Sequence, residues 1–211
     1  MMNTKFISIF MGNNSVNLLG CENDALLFFN INLFENKTIL LGDDATFKNL
    51  ENILKNNLNL TDLFIFFSGH GFKGGGIKLY DIIMRPLQLY DLINHIFVHP
   101  INLYIILDCC YSGGFPQVKN FNKIKNNYII ASSDINQKSA ECLIKYDEQL
   151  FLDKKPKVIK NHIVIGLFSY NIIKLILEKN FKDPNNIFLD LNESDCIELE
   201  SLTKQKIIIK K

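Results

Sequence analysis

Two apolar runs that each break off at a polar cluster limit what this chain can fold into. Leu103, Tyr104, Ile105, Ile106 and Leu107 lead into Asp108, Cys109, Cys110, Tyr111, Ser112, Gly113 and Gly114. Leu63, Phe64, Ile65, Phe66 and Phe67 lead likewise into Ser68, Gly69, His70 and Gly71. Short continuous apolar runs rich in β-branched and aromatic residues mark strands buried on both faces of a parallel sheet. Open α/β sheets carry their reactive groups at the carboxyl ends of such strands. With the two strands side by side, the Cys110 thiol and the His70 imidazole form the pairing that nucleophilic catalysis by cysteine needs.

The flanks fit an alternation of strand and helix. Lys5 to Met11 and Lys37 to Leu41 read as strands, and Asn23 or Asp24 is placed to cap a helix running to about Phe34. Thr46 is placed to cap a helix with Phe47, Leu50, Ile53, Leu54 and Leu58 on one side, and Pro86 to open another with Leu87, Tyr90 and Ile96 inward. Ile77 to Met84 suits a small hairpin, and Tyr128 to Ser132 a further strand. This order predicts right-handed crossovers and a parallel sheet. Residues 141–161, rich in Asp, Glu and Lys, read as an exposed loop. His162 to Lys179 follows a helical rhythm, while Ile187 to Leu191 and Lys206 to Ile209 read as strands, the last antiparallel at the sheet edge.

A chain of 211 residues of which 47% are hydrophobic can bury one full core, and a net charge of +1 speaks against a nucleic-acid or membrane surface as the main partner. Five cysteines without a CxxC pair fit a reducing compartment. The apolar stretch FISIFMG is too short for a signal peptide or a membrane span, so a cytoplasmic location is expected.

The two clusters, FFSGHG and LDCCYSGG, together with Leu19-Gly20-Cys21-Glu22-Asn23-Asp24-Ala25 upstream, resemble blocks of the caspase and metacaspase superfamily of cysteine peptidases. Ala131-Ser132-Ser133 with Gln137 to Glu141, and Gly166 to Tyr170, resemble its later blocks in the same order. The metacaspase side fits better than the animal caspases, whose cysteine block is QAC[RQG]G. The resemblance implies an α/β caspase-like three-layer sandwich with a mostly parallel sheet of about six strands. It implies one peptidase domain: a large-subunit-like part to about residue 140, the 141–161 loop, and a small-subunit-like part from about residue 162.

It further implies Cys110 as nucleophile, since the catalytic cysteine immediately precedes Tyr-Ser-Gly, with Cys109 facing the core. His70 is the general acid and base, and the backbone N–H groups of Gly71 and Cys110 form the oxyanion hole. In metacaspases the pocket for the residue before the cleaved bond is lined by residues matching Cys21, Asp24, Ser68 and Asp108. Two carboxylates in one pocket repel each other until a cation arrives, which points to protein or peptide substrates cleaved after Arg or Lys. Calcium-dependent metacaspases carry aspartates in the loops that here read FKGGGIKLYD and GGFPQV, so neither metal nor cofactor is expected. Tyr111 departs from the His that metacaspases often have there. Lys145, Lys154, Lys155 and Lys157 would suit self-cleavage, or a merely solvated loop. Lysines flanking the isoleucine-rich C-terminal edge favour a monomer. Two alternatives stay open: a caspase-like pseudoenzyme used for binding or regulation, and a different Cys–His acyl transferase.

Overall fold

The computed structural model describes residues 6–15, 17–115, 122–148, 154–191 and 193–210. Its frame is a six-stranded sheet in the spatial order Ile208–Lys210, Ile124–Ala131, Ile101–Cys109, Asp62–Gly69, Phe6–Gly12, Lys37–Leu41. Five of these strands are parallel: β1 (Phe6–Gly12), β2 (Lys37–Leu41), β3 (Asp62–Gly69), β7 (Ile101–Cys109) and β8 (Ile124–Ala131). The short edge strand β11 (Ile208–Lys210) runs antiparallel to β8. Between them come α1 (Cys21–Asn30), α2 (Phe47–Lys55) and α3 (Pro86–Ile96), with a small antiparallel sheet of β4 (Gly71–Phe72), β5 (Gly76–Lys78) and β6 (Ile83–Met84). The last third adds β9 (Glu141–Lys145), β10 (His162–Gly166), α4 (Leu167–Lys179), α5 (Asn186–Asp190) and α6 (Glu193–Thr203).

Alternating residues of the central strands divide the core in two. Ile9, Ile65 and Ile105 pack against Leu50 and Leu54 of α2 and Leu89 and Ile93 of α3. Phe10, Phe66 and Ile106 pack on the other face against Phe28 of α1, Phe168 and Ile172 of α4 and Phe188 of α5. The result is the expected three-layer α/β sandwich.

The N-terminal half follows the sequence reading in its elements, although Leu58, past the end of α2, and Leu87 on α3, both expected inward, are exposed. Thr46 caps α2, its hydroxyl accepting from Asn49 N at 3.1 Å, and Pro86 is the first residue of α3. The expected cap of α1 differs: the helix begins at Cys21, and the Asn14 side chain accepts from Glu22 N. Asp24 is thereby freed from capping and lies inside the helix.

The C-terminal half departs further. Residues 141–161 do not form one exposed loop. They open with β9, which pairs with β10, because Cys142 and Ile144 rest against the α1 and α4 side of the core. Asn30 then clamps the Lys154 backbone through both N–H and carbonyl, and Asn23 accepts from Lys157 N. Residues 149–153 of that stretch lie outside the described residues. His162 to Lys179 is a strand and then a helix, divided at Gly166. The strand expected at Ile187 to Leu191 is instead α5, since Ile187 and Phe188 turn inward together while Leu189 stays exposed.

Candidate active site

β3 and β7 are neighbours in parallel register, Ser68 opposite Asp108 and Gly69 opposite Cys109. His70 and Cys110 are each the next residue past the last pair, so two adjacent central strands deliver them to the carboxyl end of the sheet. Both are half-buried. Beyond His70 the chain enters the small sheet, where Gly71 pairs with Ile77. A Cβ on Gly71 would lie 1.8 Å from the Cys110 carbonyl oxygen and 2.9 Å from the Cys109 sulfur. Only glycine lets the histidine strand approach the cysteine strand this closely.

The chain after the cysteine turns sharply. Tyr111 adopts φ +59°, an uncommon left-handed conformation for a residue of its size. A network under the turn holds it there. Ser133 Oγ donates to the Cys109 carbonyl at 3.0 Å and accepts from Ser112 N at 3.1 Å, while Gly113 N donates to the Ser133 carbonyl at 2.8 Å. Tyr111 N donates to the Gln137 carbonyl, also at 2.8 Å. The two adjacent cysteines thus differ in surroundings. Cys109 is buried in the apolar core, and burial first, then the neighbouring Asp108, pushes its thiol well above the ordinary range. Cys110 instead lines a cavity.

That narrow cavity, of about 20 Å³, is bounded also by Cys21, Asp24, Ser68, Asp108, Glu141 and Gly166. Asp24 and Asp108 are almost fully buried. Asp24 accepts from Ser68 Oγ at 2.6 Å and from Gly166 N at 2.7 Å. Asp108 accepts from Ser169 Oγ at 2.7 Å, from Ser169 N at 3.1 Å and from Ser139 Oγ. A Cβ on Gly166 would come within 2.2 Å of an Asp108 oxygen and 2.9 Å of an Asp24 oxygen, so the glycine admits both carboxylates. Burial holds both acids above the usual carboxylate range, and for Asp24 the Asp108 charge adds to the rise. The Cys21 thiol is pushed up by burial and then by Asp24.

The structure therefore brings Cys21, Asp24, Ser68, Asp108 and Cys110 around one cavity, with His70 and Gly71 at the adjoining strand end. Three further groups have no role in the sequence reading, although Ser139, Glu141 and Ser169 fall within its family-like blocks. Ser15 Oγ lies 2.7 Å from His70 Nε2. Glu141, read as part of a loop, accepts from Gly20 N at 2.6 Å and from Leu19 N, fixing the approach to α1. Ser139 and Ser169 supply hydroxyls to Asp108. A serine carries no spacing signal of its own, so the tasks of these side chains show only in the tertiary structure. Among the described residues no three His, Cys, Asp or Glu side chains gather as metal ligands do.

No protein-family model matches the chain, and no curated protein matches it in sequence. Its likeness to solved structures is one of fold. Protein GSU0716 from Geobacter sulfurreducens superposes with a TM-score of 0.58 at 12% identity, over 98% of this chain and 92% of that one. Caspase-1 from Spodoptera frugiperda superposes with a TM-score of 0.55 at 11% identity, over 99% and 86%. The chain is thus an α/β protein of caspase-like fold carrying a thiol, an imidazole and two buried carboxylates around the carboxyl end of the sheet. No helix among the described residues is long and apolar enough to cross a membrane.

Proposed function

We propose that the protein is a metacaspase-type cysteine endopeptidase that cleaves after Arg or Lys. The observation that carries this reading is the pair Asp24 and Asp108, both buried, separated only by the bare Gly166, in the cavity that Cys110 also lines. Carboxylates held above their ordinary range by burial are a site short of positive charge. A guanidinium or ammonium side chain supplies that charge with hydrogen bonds attached. A bound basic side chain then sets the following peptide bond beside Cys110.

Cys110 passes its proton to His70 and, as thiolate, attacks the scissile carbonyl carbon, and the oxyanion that forms is met by the N–H groups of Gly71 and Cys110. His70 gives a proton to the leaving amine as the C–N bond breaks, leaving a thioester. Water attacks the thioester, His70 taking its proton, and the acid product leaves as the thiol returns. Ser15 at Nε2 fixes the ring and leaves Nδ1 to exchange protons. Neither the loop after His70 nor the one after Cys110 has the acids a calcium site needs, so the reaction is read as calcium-independent. The clamped backbone at Lys154 and Lys157 speaks against self-cleavage there, and the protein is read as a monomer acting in the cytoplasm.

The test is hydrolysis of matched fluorogenic peptides ending in Arg, Lys or Asp, by wild type and Cys110→Ala, with calcium and with chelator. Expected is cleavage after Arg or Lys that the chelator leaves intact and the substitution abolishes. Preference for the Asp peptide would overturn the specificity. Silence from folded wild type on all three would favour a pseudoenzyme.

A further inference from the structure

The C-terminal segment reaches Ser139, one of the residues that line the cavity. α6 ends at Thr203, Lys204 turns the chain with φ +57°, and Gln205 swings inward until only 4% of it is exposed. Its Nε2 donates to Ser139 Oγ at 3.1 Å. Ser132 Oγ lies 3.2 Å from the same atom, and Ser139 Oγ bonds Asp108 Oδ1. A serine hydroxyl has one proton and two lone pairs. The glutamine Nε2 that faces Ser139 can only donate, its Oε1 being buried without a hydrogen-bond partner among the described residues, and the ionised carboxylate can only accept, so the single Ser139 proton is directed at Asp108.

We infer that Gln205 is a positioning residue for the Asp108 carboxylate, acting through Ser139. The segment's other bonds explain why Gln205 is held so firmly. Gln137 accepts from Lys206 N at 2.8 Å and donates to the Lys204 carbonyl at 3.1 Å. Lys210 Nζ donates to the carbonyls of Gly113 at 3.0 Å and Phe115 at 2.6 Å, tying β11 to the turn after Cys110. The tail therefore grips both the cysteine turn and the floor of the cavity. The relay counts because burial opposes the ionisation of Asp108, and further acids stand nearby. Asp24 of α1 faces it across Gly166 and Glu141 of β9 shares the cavity wall. Ser139 is the foremost group favouring the charged form, with Ser169 next.

The relay stands on hydrogen bonds alone, and only its effect on substrate affinity rests on the proposed peptidase reading. Carboxyl carbon NMR of Asp108 across a pH titration tests it in wild type, Gln205→Met, Ser139→Ala and the double variant. Expected in Gln205→Met is a proton affinity of Asp108 raised roughly threefold to tenfold, as for one weakened hydrogen bond to a charge. Ser139→Ala should raise it further, and the double variant should match Ser139→Ala alone, because both changes cut one path. An unmoved Asp108 in Gln205→Met, or additive shifts in the double variant, would overturn the inference. Should Gln205→Met not fold, the near-isosteric Gln205→Glu serves: its carboxylate draws the Ser139 proton away and raises the affinity likewise. In the kinetic arm, Gln205→Met raises KM for the Arg peptide by a similar factor with kcat within about twofold. A wild type that cleaves no basic peptide while the titrations behave as expected would sink the peptidase reading and leave the relay standing.

Discussion

At the scale of single residues, Gly71 is the tightest point of the site, its missing side chain filled by the Cys110 carbonyl oxygen. Gly71→Ala must drive the two strand ends apart by more than an ångström. A shift of that size costs about 10²-fold in rate when it separates reacting groups. Since the strain falls past the last residue pair of β3 and β7, the central sheet stays paired. The expected result is a folded protein with kcat/KM for the Arg peptide down by about two orders of magnitude, and a variant within threefold of wild type would show that the approach is not needed. Ser133 is the residue-scale counterpart under the turn. Its hydroxyl serves both the Cys109 carbonyl and Ser112 N, and both are buried. Ser133→Ala leaves them without that partner, at a cost of about 1–3 kcal/mol in denaturant unfolding. The same segment was singled out in the sequence only as Ala131-Ser132-Ser133, a block resembling one in a known family. Its physical task, holding a left-handed Tyr111 in place, is visible only in three dimensions.

Among elements, the end of α6 offers a clean test of backbone strain. Lys204 sits just past Thr203 with φ +57°, the position where helices commonly carry glycine. Its N–H and carbonyl, not its side chain, make the bonds to Glu200 and Gln137. Lys204→Gly should therefore stabilise the fold by up to about 1 kcal/mol, and a loss of stability would contradict this account of the turn. How much each element showed in the sequence follows from how it is buried. β3 and β7 are enclosed on both faces, so nearly every residue is apolar and the run ends where the sheet does. α2 is enclosed on one face, and Leu50 and Leu54 with the Thr46 cap mark it plainly. β9 is enclosed on half a face, with Leu143 exposed between Cys142 and Ile144, and its partner β10 is distant in sequence. β10 and α4 share one apolar run that fits strand and helix alike. Their boundary, Gly166, exists to make room for carboxylates from Asp24 and Asp108, and no local pattern records that.

For the molecule as a whole, the two acids join its parts. Asp24 on α1 and Asp108 at the end of β7 bond Gly166 N and Ser169 N at the start of α4, so the cavity lies where the last third of the chain meets the sheet. Both carboxyls are held above the ordinary range in the folded protein by burial. An acid raised in this way binds more protons folded than unfolded through the intervening window, so the free protein loses stability as pH rises upward from about 4. A cation in the cavity reverses the sign, because it favours the ionised pair that burial disfavours. Benzamidine, whose amidinium mimics an arginine side chain, should therefore raise the Tm of Cys110→Ala more at pH 8 than at pH 5, at equal concentration. Asp24→Asn keeps an oxygen for Gly166 N while removing one of two repelling charges. It should make the free protein more stable at pH 8, on the order of 1 kcal/mol, flatten its pH dependence and abolish the benzamidine shift. Equal benzamidine shifts at both pH values, or a shift that survives Asp24→Asn, would mean that the buried carboxylates do not receive the cation.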